Sequence, residues 1–192
     1  MSSFLRVARA DLNRYLDQNA TSAWSKLNAV RRNEGLQAVL VYRFGRMLES
    51  KRKQLFLWPL LVFGWAAYAF AALVMRRGYG IEVSLSAEIG AGFWIGHFGG
   101  IEVVNCRLAE HCSVGQQTKV GRVEQIDGPE IGDSVWIGAH AKIFGPVKVG
   151  ACATIAPGAC VTKDVPRNSL IVGAPARIVS RRYDNSRILP GI

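Results

Sequence analysis

A period of six governs the second half of this chain. Aliphatic residues fall at Val83, Ile89, Ile95 and Ile101, then at Leu108, Val114 and Val120, then at Ile131, Ile137, Ile143, Val149, Ile155 and Val161. Every interval is six except one of seven, from 101 to 108, and one of eleven, from 120 to 131. The next residue is usually Gly or Ala, as at Gly90, Gly96, Gly115, Gly132, Gly138 and Gly150. Four places after the aliphatic residue the side chain is usually small, as at Ala87, Gly99, Cys112, Thr118, Ala141, Ala153 and Ala159. An α-helix repeats every 3.6 residues and cannot use this spacing. A chain that turns a corner after each short strand can, because it stacks like positions coil upon coil and lines its interior with aliphatic columns. Glycine beside the column is expected at such a corner, where it adopts positive φ without a Cβ clash. The expected architecture is mainly β: a parallel β-helix over 81–180, a loop at 121–130 where the period breaks, and a tail over 181–192.

Residues 1–80 follow a different pattern. Leu5, Ala8, Leu12 and Leu16, and again Leu36, Val39, Leu40 and Met47, recur at the three- and four-residue spacing of helices. Ser2 and Ser3 suit the cap of the first, and Gly35 precedes the next. Residues 55–75 hold 21 positions without a charge, enough for a helix to cross a hydrocarbon layer of ~30 Å. Pro59 and Gly64 interrupt this stretch, and Lys51, Arg52 and Lys53 precede it while Arg76 and Arg77 follow. Three placements stand open: a span, an interfacial or re-entrant membrane helix, and a helix buried in an oligomer.

Charge follows the same division. The formal net charge is +10, of which residues 1–80 supply +9, from 13 Lys/Arg against 4 Asp/Glu, and residues 81–192 supply +1, from 11 against 10. The basic residues accompany an apolar helical region and form no recognised nucleic-acid motif, so an anionic membrane surface is the expected partner and nucleic acid is not. Cys106, Cys112, Cys152 and Cys160 make no CxxC, and no secretory leader is expected before them, because residues 1–54 carry charge throughout. Free thiols in a reducing cytoplasm are expected, with the cytoplasmic face of the inner membrane as the working place.

The run [LIV]-G-x-x-[small]-x resembles the hexapeptide-repeat transferases. The closer likeness is to serine acetyltransferases and the related O-acetyltransferases of capsule and exopolysaccharide synthesis. ADLNRYLD and AVLVYRFGRML resemble the helical N-terminal part, AEIGAGFWIGHFGGIEV the active-site coil, and IGDSVWIGAHAKIFGPVKVGACATIAPGACVTKDVPRNSLIVGAPARIV the C-terminal coils and tail. The resemblance implies a left-handed β-helix with three hexads per coil, here about four and a third coils. It also implies a homotrimer with acetyl-CoA lying between neighbouring subunits. That cytosolic cosubstrate argues against a span, because heavier positive charge upstream of residues 55–75 would put the β-helix outside.

Acyl transfer from a thioester to a hydroxyl needs a base for the hydroxyl proton and donors near the developing oxyanion. Histidine suits the base near neutral pH. His97, in IGHFGG, matches the family's general base; the plainer reading is a surface histidine at a corner. His111 reads as a solvated turn residue and His140 as an outward-facing structural residue beside the CoA stretch. The resemblance further places Ala139 and Pro157 against the pantetheine arm, Thr162 and Lys163 at the exit from the last coil, Arg177 near the nucleotide phosphates, and the Gly121 amide at the oxyanion. No metal is expected, since the three histidines occupy different phases of the hexad and no cysteine spacing suits zinc.

Two departures bear on the acceptor. Gly96 stands where the family has Asp before the histidine, and Asp127-Gly128-Pro129 stands where it has an Arg-His pair before Pro. An anionic Asp127 would repel an amino-acid carboxylate. The expected activity is therefore acetyl transfer to a sugar hydroxyl in capsule or exopolysaccharide synthesis. Serine O-acetylation in cysteine biosynthesis and a non-catalytic trimeric scaffold are the alternatives.

Overall fold

The structure is a computed structural model and describes residues 2–16, 22–52, 58–97, 99–122 and 127–189. Among the described residues four helices, α1 (Ser2–Asn13), α2 (Ala23–Arg32), α3 (Glu34–Lys51) and α4 (Trp58–Gly78), precede a left-handed parallel β-helix. Its first face holds β1 (Ile81–Val83), β4 (Ile101–Val103), β7 (Lys119–Val120), β10 (Lys142–Ile143) and β13 (Cys160–Val161). The second holds β2 (Glu88–Ile89), β5 (Arg107–Leu108), β8 (Glu130–Ile131) and β11 (Lys148–Val149), and a bridge from Val149 to Val165 adds a fifth level. On the third, β3 (Trp94–Ile95), β6 (Ser113–Val114), β9 (Trp136–Ile137), β12 (Thr154–Ile155) and β14 (Leu170–Val172) run parallel, and β15 (Arg177–Ser180) returns antiparallel along β14.

Each face thus reaches five levels, more than the four and a third counted from the repeat, because Val165 and Ile171 extend two columns. The columns are aliphatic: Ile89, Leu108, Ile131, Val149 and Val165 on the second face, and Ile95, Val114, Ile137, Ile155 and Ile171 on the third. Burying each such side chain contributes about 1.5–3 kcal/mol.

The column position assigned to Ile101 belongs to Val103, which pairs in register with Val83 and Val120. The interval from Ile95 to Val103 is eight, not six. Ile101 instead fills the inward corner position occupied by Thr118, Ala141 and Ala159 in later coils.

The glycines after the columns serve a different purpose from the one expected. Gly115, Gly132 and Gly138 are not at positive φ; a Cβ there would lie 2.6–2.7 Å from a backbone nitrogen of the next coil. Close backbone approach demands them. Positive φ falls two residues later, at His111, Gln117, Ser134, His140 and Cys152. A non-glycine residue there costs about 1–2 kcal/mol.

The helices close the open edge of the first coil. Tyr42 donates to Ala87 O at 2.7 Å, and Arg43 donates to Ile89 O at 2.6 Å and Gly90 O at 2.5 Å. Arg43 is also paired at 2.8 Å with buried Asp11, whose other oxygen accepts from Phe93 N–H. Pro59 sits in the first turn of α4, where proline lacks no needed donor, so it does not interrupt the helix. Gly64 admits Leu48 from α3. The tail packs on the third face: Tyr183 N–H donates to Asn168 O, and buried Asn185 donates to Ser134 O, both at 2.8 Å.

Candidate active site

The two extra residues between Ile95 and Val103 create the feature that presents His97. They widen the corner between the third and first faces, and His97 stands there exposed at φ 58°. Gly96 before it is dictated by Trp94, whose indole occupies the space any Cβ at 96 would need. That indole stacks on Tyr15 at 6.1 Å, and the Tyr15 hydroxyl accepts from Ile95 N–H at 2.7 Å. An aspartate at this position, as family likeness expects, would have to displace this aromatic pair. Sequence reasoning missed this pairing, because Tyr15 and Trp94 meet only through the fold.

The same corner continues down the stack. Gln117 N–H donates to Gly99 O, His140 N–H to Gln116 O and Gly158 N–H to Ala139 O, each at 2.8 Å. His97, Ala139, His140 and Pro157 consequently share one edge of the prism. At a strand spacing of ~4.8 Å, the three-coil step from His97 to Pro157 is roughly 14 Å. Ala139 is half-buried, while His140 and Pro157 are exposed. His111 lies on a different edge, where its Nδ1 is buried without a hydrogen-bond partner and a Cβ on Gly92 would lie 2.5 Å from it. Among the described residues no three His, Cys, Asp or Glu side chains cluster.

Thr162, Lys163 and Arg177 come together at the far end of the β-helix. They line one cavity of about 330 Å³ with Asp164, Val165 and Ile171. The return of β15 makes this possible, since it sets Arg177 beside Val172, and Ala176 N–H closes onto Cys160 O at 3.0 Å. Two cations over an apolar floor can hold an anionic, extended ligand.

Gly121 requires correction. It lies on the edge between the first and second faces, away from that of His97, and its N–H donates to Ile143 O at 2.9 Å within the stack. The coil ladder uses the amide that the oxyanion role would need. Residues 123–126 of the 121–130 loop lie outside the described residues. Its flanks are tied to the coils: Asn105 donates to Arg122 O at 3.1 Å, the Arg122 guanidinium rests 4.3 Å over the Phe144 ring, and the Asn105 carbonyl fills the place a Cβ on Gly128 would take. No histidine fits at 128. Arg122 was not singled out from the sequence; its signal was register, because it stands one coil above Phe144.

The family description "Bacterial transferase hexapeptide (six repeats)" matches residues 128–163. Serine acetyltransferase of Bacillus pumilus is 31% identical over 180 residues, covering 92% of this chain and 77% of that one. Serine acetyltransferase of Staphylococcus xylosus is 29% identical over 195 residues, covering 98% and 82%. Among solved structures, serine acetyltransferase of Brucella abortus superposes with a TM-score of 0.76 at 24% identity, covering 95% of this chain and 71% of that one, a likeness of fold. The Neisseria gonorrhoeae enzyme in complex with serine superposes with a TM-score of 0.74 at 25% identity, covering 93% and 70%.

These relatives overturn the sugar acceptor and the exopolysaccharide branch expected from the sequence; the serine alternative fits better. The departures at Gly96 and Asp127 do not decide the acceptor, which a whole assembled site selects. The chain is an acyltransferase. With the repeat, the capped β-helix and the match over nine-tenths of its length, it belongs to the serine acetyltransferase family of hexapeptide-repeat transferases.

Proposed function

We propose that this protein transfers the acetyl group of acetyl-CoA to the side-chain hydroxyl of serine. The observation that carries the reading is the match to serine acetyltransferases over 92% of the chain at 31% identity. The exposed His97 imidazole takes the hydroxyl proton as the oxygen attacks the thioester carbonyl. The C–O bond forms, the C–S bond breaks, and the imidazolium returns the proton to the departing thiolate. Ala139 and Pro157 border the path of the pantetheine arm, and Lys163 and Arg177 meet the phosphates in the terminal cavity.

The His97 edge and the edge bearing Gly121 and Arg122 lie apart on one chain, so a site using both takes them from two protomers. A homotrimer supplies that junction. There Arg122, held over Phe144, is the cation available to the serine carboxylate in place of the missing Arg-His pair.

The test is thiol release from acetyl-CoA with serine and with a panel of other hydroxyl acceptors. Serine is expected to be the best acceptor, and His97→Ala to lower kcat by about 10²–10⁴-fold while the fold is retained. Full turnover in His97→Ala would remove the base assignment, and indifference to serine would remove the acceptor.

A further inference from the structure

Helix α4 has two unlike halves. Toward the protein it presents Leu61, Gly64, Tyr68 and Met75, with Leu61 and Met75 buried and Gly64 and Tyr68 against Leu48 and Gly45 of α3. On the other side, residues 59–74 expose only apolar side chains. Leu60, Phe63 and Phe70 are 68%, 75% and 70% exposed, and Val62, Leu73 and Val74 are exposed beside them. At about 100° per residue these positions sweep roughly half the helix circumference. Exposed cations stand at the two ends, Arg52 just after α3 and Arg76 and Arg77 in the last turn.

We propose that this half of α4 is a docking surface for an anionic lipid bilayer, on which the helix lies in the plane of the interface. Two observations favour lipid over a second copy of the chain. A helix–helix seam needs an apolar stripe about 100° wide flanked by polar residues, and this face is broader and has no polar flank over four turns. The bulky exposed apolar residues lie between positive charges at the two ends, an arrangement that acyl chains and anionic headgroups complement. Lying flat also follows from the packing. A spanning α4 would carry α3, with its Arg46–Glu49 ion pair, into hydrocarbon.

The inference stands independently of the acceptor's identity. It is tested by co-sedimentation of the full chain with vesicles of phosphatidylcholine alone and of phosphatidylcholine mixed with phosphatidylglycerol, at low and high salt. Binding to the mixed vesicles is expected, weakening as salt rises. The double variant Phe63→Gln/Phe70→Gln should lose at least tenfold in binding. Arg76→Gln/Arg77→Gln should lose about fivefold per charge together with most of the salt dependence. Helical circular dichroism and turnover, read in parallel, should be unchanged in both variants. Failure of the full chain to sediment with mixed vesicles overturns the proposal, as does undiminished binding by the Phe63/Phe70 variant. A fall in oligomer size on that substitution, without vesicle binding by the parent, would assign the face to a second copy. Release from vesicles only by detergent would assign it to a span.

Discussion

Cys106 and Cys112 lie inside the stack, and burial pushes both thiols up to about 12. Raised values mean that each thiol's contribution to stability is complete below the unfolded value of about 9 and is lost as pH rises toward 12. The loss runs at ~1.4 kcal/mol per pH unit for each thiol. Urea midpoints are therefore expected to fall steadily above pH 9, and Cys112→Ala to make that fall shallower; a midpoint flat to pH 10.5 would contradict it. Burial raises the Tyr15 and Tyr42 hydroxyls in the same sense at higher pH. The inward position of Cys112 was legible in the hexad phase. The reason for Gly96 was not, because Trp94 and Tyr15 come from segments that the repeat does not relate.

At the scale of elements, the cap decides whether the β-helix ends safely. A first coil without a neighbour exposes unpaired carbonyls and amides that invite other strands. Here Tyr42, Arg43 and Asp11 satisfy them from α3 and α1, and Arg14 adds bonds of 2.7 Å to Gly92 O and 3.0 Å to His111 O. Asp11→Ala leaves Arg43 buried without its anion and the Phe93 amide without its acceptor, at an expected cost of about 3–5 kcal/mol. Urea unfolding measures it. A second change, Arg43→Met, should recover part of the loss, because it removes the stranded charge.

The molecule as a whole has three edges, and their separation bears on assembly. A protomer carries His97 between the third and first faces and Arg122 between the first and second, on different edges of the prism. Sedimentation equilibrium is expected to give about three times the 21.0 kDa chain mass, the mass of the proposed homotrimer closed by a three-fold axis. An active monomer would place the whole site on one chain and refute the arrangement. Helix α4 faces solvent on the single chain, so the same measurement in detergent-free buffer shows whether its apolar half is covered by other copies.

The period of six determined the class of fold and most of the aliphatic columns, because stacking forces like positions into register; three- and four-residue spacing determined the helical character of residues 1–80, and resemblance to a known family singled out His97. The period left the column shift from Ile101 to Val103 hidden, since an insertion of two residues looks like a break of one when both candidates are aliphatic. The tertiary structure decided three further things: that the Gly121 amide is already committed, that Thr162, Lys163 and Arg177 share a cavity, and that α4 keeps half its surface uncovered. Each depends on which segments approach one another across the stack, a distance that spacing along the chain does not encode.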